Sequence, residues 1–251
     1  MQRAPLVRVV ADDEAVAVSA AEEIVQVAAR AVADRGRFTV ALSGGSTPRR
    51  LYRLLSDVQA SFRAQIPWER THVFFGDERH VPPDHPESNY RMAHEALLAH
   101  VPAASVHRIQ GEESDPARAA AAYEAELRRF FELSDPGAAP PQFDLVLLGL
   151  GPDGHTASLF PGSPALEERR KWAVGVFVER LRAHRITLTL SVINRAREVL
   201  FLVSGAEKAE ALARVFAHAT GAEPLPAARV RPESGTLLWI VDRAACLPRR
   251  S

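Results

Sequence analysis

The apolar residues of this chain fall into short runs separated by segments of helical period. Leu6–Val10, Phe38–Leu42, Thr71–Phe75, Leu145–Leu148 and Val199–Val203 are each bounded by polar or turn residues. All five read as strands, Phe38–Leu42 as a buried one, and the uninterrupted Leu145–Leu148 run suits a strand buried on both faces, the parallel-sheet kind. Ala173–Val178 and Arg185–Leu190 are also strand-like, and Leu237–Val241 is expected to close the sheet. Between the first two runs, Val16, Ala20, Ile24, Val27 and Ala31 recur at helical spacing, predicting a helix over Asp13–Arg35 capped by Asp12 or Asp13. Leu51, Leu54 and Leu55 mark a second helix after Pro48. Ser88 is placed to cap a helix over Tyr90–His100, and Ser114 or Asp115 one over Asp115–Glu132, followed by a loop at Ser134–Pro141. An alanine-rich helix is expected to run to about His218. Strands alternating with helices give an α/β fold with a mostly parallel, doubly wound sheet.

Ligands of such sheets bind outside the carboxyl ends of the strands, and there the polar residues of this chain concentrate. Leu145–Leu148 runs into Gly149, Gly151, Pro152 and Gly154, with Asp153 and His155 inside the turn and a helical turn expected at Thr156–Leu159. Glycines let the backbone turn sharply and approach a ligand. The strand Phe38–Leu42 ends in Ser43-Gly44-Gly45-Ser46-Thr47-Pro48 and then a helix. That order has the parts of an anion cradle: amides freed by glycine, hydroxyl donors and a helix N-terminus. It is neither the P-loop nor the dinucleotide fingerprint. Thr71–Phe75 ends in the polar turn Gly76-Asp77-Glu78-Arg79-His80, the third strand to deliver chemistry to one edge. Beyond it, His80, Asp84, His85 and Glu87 fit no standard metal spacing and are read as a solvated loop.

Composition narrows the partners. The 251 residues carry 31 basic and 31 acidic side chains, a formal net charge of zero. This gives no one-sided basic surface for nucleic acid. With 47% hydrophobic residues the chain can bury a sizeable core, and without linkers or repeats a single domain over 1–251 is expected. No apolar run approaches the roughly 18 residues of a membrane span, so no membrane partner is expected. One cysteine, Cys246, fits a reducing compartment and a cytoplasmic location. Only two lysines occur, Lys171 and Lys208, and Lys208 falls in the first turn of a helix, where the dipole disfavours a cation unless an anion is near.

Taken together, LSGGSTPRRLY (Leu42–Tyr52), FFGDERHVPPDHPESNYRMA (Phe74–Ala93), LLGLGPDGHTASLFPGS (Leu147–Ser163), RITLT (Arg185–Thr189), VSGAEKAEAL (Val203–Leu212) and PAARVRPESGTLLWIVDRAA (Pro226–Ala245) resemble the 6-phosphogluconolactonases. These segments span almost the whole chain in the family's order. The resemblance implies a Rossmann-like fold shared with glucosamine-6-phosphate deaminases. It also implies hydrolysis of 6-phospho-D-glucono-1,5-lactone without metal or organic cofactor. His155 matches the family's general base, with Asp153 and Gly154 in the same turn. Asp77 and Arg79 match a second polar cluster, and Ser43, Gly44, Gly45, Ser46, Thr47, Asn89, Arg185 and Lys208 its substrate and phosphate contacts. The implied state is a monomer or small homo-oligomer.

The chemistry is consistent. An imidazole, with an ordinary pKa of about 6.5, can take a proton from water at neutral pH. The glycine turn would offer amides to the developing oxyanion, and a phosphate held at a distance would orient the sugar. Two rivals share the fold. The related deaminases carry a glutamate five positions after the histidine, where this chain has Phe160. A sugar-phosphate sensor would need a DNA-binding segment, for which a first strand at Leu6 is expected to leave no room.

Overall fold

A computed structural model describes residues 4–135, 137–217 and 223–246. Among the described residues ten strands form two sheets: Leu6–Val10 (β1), Phe38–Leu42 (β2), Thr71–Phe75 (β3), Asp77–Arg79 (β4), Ser105–Val106 (β5), Leu145–Gly149 (β6), Ala173–Val178 (β7), Ala183–Leu188 (β8), Glu198–Val203 (β9) and Thr236–Asp242 (β10). The large sheet is parallel throughout, in the order β1-β10-β9-β6-β2-β3-β5. The small sheet is antiparallel, in the order β4-β8-β7. Every residue of β2 is buried, and so are Leu145 to Leu148 of β6 and Val199 to Val203 of β9, as expected of strands covered on both faces.

The first helix, Asp13–Arg35 (α1), carries the Asp12 cap, whose carboxylate accepts from the Ala15 amide at 2.9 Å. It buries the anticipated stripe of Val16, Ala20, Ile24, Val27 and Ala31 and ends at Gly36, whose φ of 72° is a left-handed C-cap. Ser46–Ser56 (α2) follows β2. Ser88 caps Asn89–Ala93, but the α-helical bonding there stops short and continues as a π-turn over His94–Leu98 instead of an unbroken Tyr90–His100 helix. Asp115 is the cap of Pro116–Phe130, accepting from the Ala117 amide. The last long helix, Ala209–Phe216, is preceded by a 3₁₀ turn at Ala206–Lys208, and the expected end at His218 lies outside the described residues.

Four expectations change. Asp77–Arg79 is not a turn but a short strand paired with β8. Arg185 is the third residue of β8, not its first. Thr156–Leu159 is not helical: Thr156 and Leu159 form an antiparallel bridge around Ala157 at φ 48°. The last strand is internal, lying between β1 and β9.

Two buried tyrosines finish the strands that lead into the polar edge. Tyr52 Oη donates to Ser43 O at 2.8 Å and accepts from Ser43 N at 3.1 Å. Tyr123 does the same for Phe75, at 2.9 and 3.0 Å. Each phenol therefore replaces a missing neighbour strand at a strand end. Tyr52→Phe leaves both backbone groups of Ser43 without that partner and is expected to destabilise the fold by about 1–3 kcal/mol. Urea unfolding with an unchanged slope reads this directly. Burial, the largest cause, pushes both phenols well above their ordinary value of 10. Because the folded state holds these protons more tightly, their stabilisation is intact below about pH 10 and declines above it. Alkaline unfolding of the wild type is expected to begin there.

Candidate active site

The carboxyl ends of β2, β3, β6 and β9 deliver the turns singled out above, around the point where the chain, after adding β3 and β5 on one side of β2, returns on its other side as β6. In the β6 turn, Gly154 adopts φ 82° and Gly151 packs directly beneath the His155 ring. His155 Nδ1 meets Asp153 Oδ1 at 2.5 Å, and the same oxygen accepts from the His155 amide at 3.2 Å. Burial alone would raise the Asp153 carboxyl, but the His155 bond and charge, aided by Arg180, outweigh it and hold it at about 2. Asp153 is therefore ionised at neutral pH and can only accept. The tautomer follows from that bond: Nδ1 carries the proton and Nε2 keeps its lone pair. No hydrogen bond among the described residues occupies Nε2.

Two groups fix the ring from other directions. Phe160 stacks on it, centroids 4.3 Å apart at 25°. Arg180, from a 3₁₀ turn between β7 and β8, pairs with Asp153 Oδ2 at 3.1 Å and lies 5.0 Å over the Phe160 ring. Its Nη2 is 3.4 Å from His155 Nδ1, a contact between two donors. Sequence reasoning missed Arg180, one arginine in an arginine-rich chain with no local motif around it.

The second cluster sits on β4. Asp77 is buried; its Oδ2 accepts from Ser158 Oγ at 2.7 Å, and Asn89 Nδ2 donates to its carbonyl at 2.9 Å and to Oδ1 at 3.2 Å. Glu78, part of the polar turn read as delivering chemistry, is 2% exposed and structural. Its two oxygens accept from the amides of Arg79, Asn89 and Tyr90 and from Ser88 Oγ, so one carboxylate anchors the helix start that presents Asn89. Burial pushes its carboxyl up against those bonds.

Arg79 and Arg185 stand directly opposite each other in the β4–β8 register. Like charges so placed repel. Burial, followed by the Arg79 charge, pulls the Arg185 guanidinium down, with Asp77, Glu87 and Glu78 opposing. Arg79 Nη1 donates to Glu87 O, yet the Nε of both arginines is buried without a partner. Ser43 Oγ and Asn89 Oδ1 are orphaned likewise. Four such atoms on converging elements mark a place built for a polar ligand.

The β2 turn supplies amides. Gly45, at φ 112°, is the N-cap of α2 and no side chain caps it, leaving the first-turn donors open. Gly44 touches Asn89 so closely that a Cβ would fall 1.9 Å from Oδ1. Gly45, Ser46, Arg79, Ser88 and Asn89 line one cleft of about 490 Å3, so the β2 turn and Arg79 share a space. Thr47 Oγ1 lies 2.7 Å from Ser204 Oγ, tying this turn to the β9 turn that leads to Lys208. Lys208 is the N-cap of the following helix, with Glu207 at 4.0 Å. Arg185 stands beside Asp77 and Arg79 in the small sheet. The amides of Gly151 and Gly154 donate within their own turn, to His155 O at 2.8 Å and Gly151 O at 2.9 Å. They are thus not free for an oxyanion, contrary to expectation.

Residues 11–239 match the family described as glucosamine-6-phosphate isomerases/6-phosphogluconolactonase. The chain is 46% identical over 219 residues to a 6-phosphogluconolactonase of Synechocystis, covering 86% of each chain. It is 42% identical over 248 residues to one of Mycobacterium tuberculosis, covering 94% of this chain and 96% of the other. Among solved structures, a Trypanosoma brucei 6-phosphogluconolactonase superposes with a TM-score of 0.83 at 31% identity, over 98% of both chains. A monomeric glucosamine-6-phosphate deaminase, at 20% identity and a TM-score of 0.76 over 96% of this chain and 98% of its own, shares the fold. Matched along most of its length, the chain belongs to the glucosamine-6-phosphate isomerase/6-phosphogluconolactonase family.

Proposed function

We propose that the chain hydrolyses 6-phospho-D-glucono-1,5-lactone to 6-phospho-D-gluconate, with His155 as general base. The observation that carries this is the Asp153–His155 pair with a free Nε2 and an aromatic ring at position 160. A deaminase of this family would need a carboxylate where Phe160 stacks, and an apolar ring cannot supply one. His155 Nε2 takes a proton from water as the oxygen attacks the lactone carbonyl. The carbonyl π pair moves to oxygen, where the guanidinium of Arg79 is the available donor. When the tetrahedral intermediate collapses, the C1–O5 bond breaks and the ring oxygen receives the proton back from Nε2. Asp77 and Asn89 are the partners for sugar hydroxyls. The direct test is acid release from freshly prepared lactone, with spontaneous opening subtracted; release at the spontaneous rate would overturn the assignment.

Phosphate binding is assigned to Ser43–Thr47 with Arg185 and Lys208. An arginine fork and a lysine point charge come close to neutralising a dianion. Charge-assisted hydrogen bonds are worth roughly 1.5–3 kcal/mol each, about ten- to a hundred-fold in binding. Lys208→Ala is therefore expected to lower kcat/KM for the phosphorylated lactone by that factor. Hydrolysis of unphosphorylated gluconolactone should barely change. Equal losses on both substrates would make Lys208 catalytic or structural.

The assignment takes residues 1–251 as one domain acting as a monomer or small homo-oligomer in the cytoplasm. The lone Cys246 supports a reducing compartment, and no described helix is long and apolar enough to cross a membrane. In the loop after β4, His80 Nε2 contacts Glu113 O at 2.5 Å and His85 Nδ1 accepts from the Glu87 amide, both loop-shaping bonds.

A further inference from the structure

Of the five orphaned buried polar atoms among the described residues, four mark the substrate site. The fifth, Arg195 Nε, belongs to the opposite end of the sheet. Arg195 lines a cleft of about 270 Å3 with Arg35, Arg37 and Arg197. The cleft lies at the amino ends of three central strands: Arg37 precedes β2, Asp144 precedes β6 and Arg197 precedes β9. Asp144 is the one acid among its described lining residues.

That carboxylate is already fully used. Oδ1 receives Arg35 Nε at 2.9 Å and Arg197 Nε at 3.6 Å, while Oδ2 accepts from Thr39 N and Thr39 Oγ1, each at 2.8 Å. Arg195 has only Glu233, at 4.0 Å and 65% exposed, and Arg35 reaches the exposed Asp34 at 3.4 Å. No described acid pairs with Arg37. Its guanidinium lies 4.8 Å over the Phe130 ring and 5.8 Å from that of Phe131, which fixes its plane. Four guanidiniums thus share one saturated carboxylate and two weak rim acids. Like charges gathered in a partly desolvated concavity repel one another and raise the local concentration of anions.

We propose that this cleft is a second anion site, remote from the catalytic end, that takes a phosphoryl-bearing small molecule. Planar guanidinium forks match the oxygens of a phosphoryl group better than any other side chain. Phe131 beside them offers an apolar wall to an organic portion. The orphaned arginine nitrogen repeats here, independently, the mark that Arg79 and Arg185 carry at the substrate site.

The test is calorimetric titration of the full chain with pyrophosphate at low salt. Two sites per chain are expected. Arg37→Met keeps an apolar stem on Phe130 but removes the charge. Combined with Arg195→Ala, it should weaken one site by about a hundred-fold or more, at ten-fold or more for each charged contact. It should leave lactone turnover and the melting temperature unchanged. Arg185→Ala should weaken the other site alone. Arg37→Lys with Arg195 intact, which keeps the charge but not the fork, should bind at the first site more tightly than Arg37→Met and less tightly than wild type. Adenosine monophosphate titrated in parallel distinguishes an organic phosphate, if it binds tighter, from an inorganic one. A single site that disappears in Arg185→Ala, or an Arg37→Met/Arg195→Ala protein that binds pyrophosphate like wild type, would overturn the proposal.

Discussion

His155→Ala is expected to lower kcat by about 10²–10⁴-fold, the scale of a lost general base, with KM little changed because the phosphate contacts remain. The geometry explains why no neighbour can substitute. Asp153 is bound to His155 and Arg180 and held ionised down to about pH 2, so its basicity is too low to take a proton from water. Its bond to Nδ1 leaves Nε2 as the one free basic atom of the pair. Steady-state rates on fresh lactone, corrected for spontaneous opening, are the measurement. A variant with near wild-type kcat would remove His155 from the mechanism. Arg180→Ala tests the support of the pair. It should lower kcat less than loss of the base itself and leave KM alone, and Arg180→Lys should recover much of the loss. The depressed Asp153 carboxyl also sets an acid limit. Its contribution to stability is complete above its ordinary value of 3.8 and fades as pH falls toward 2.

Gly151→Ala is expected to slow turnover about 10²-fold without unfolding the chain. A Cβ at this position would fall 1.9 Å from His155 Nδ1 and 2.1 Å from Cε1, so the ring must move by more than an ångström. Displacements of that size cost catalysis about 10²-fold. Gly36→Ala is the control. It too replaces a glycine, at φ 72° with nothing within 4 Å of the new Cβ. There the cost is backbone strain of about 1 kcal/mol, read in the melting temperature and not in kcat. If Gly151→Ala kept wild-type kcat, the tight seat under the imidazole would have no part in catalysis.

The central parallel strands were legible because burial on both faces leaves an apolar run, and Leu145–Leu148 could be little else, whereas the two-residue edge strand Ser105–Val106 carries no such run. β4 was not legible for the opposite reason. Asp-Glu-Arg carries no strand pattern, and its partners Arg185, Ile186 and Thr187 lie over a hundred residues away. Glu78 read as one more member of a polar site because nothing local foretells that four donors will converge on it. Asp153, His155 and the Ser43–Thr47 turn were readable from glycine placement and the resemblance. Arg180 was not, since its role exists only once the β7–β8 turn folds back over the β6 turn. The Thr156–Leu159 segment failed differently: Ala157 takes a left-handed conformation that alanine rarely adopts and that no residue type there announces.

The contact between Gly44 and Asn89 constrains how this lineage can change. With no room for a Cβ at 44 while Asn89 is present, the two positions can be replaced only as a pair. A side chain at 44 demands a shorter residue at 89, and the shorter residue gives up both bonds to Asp77. A descendant drifting toward another sugar phosphate must therefore cross this pair in one step, or lose its grip on the old substrate before gaining the new one.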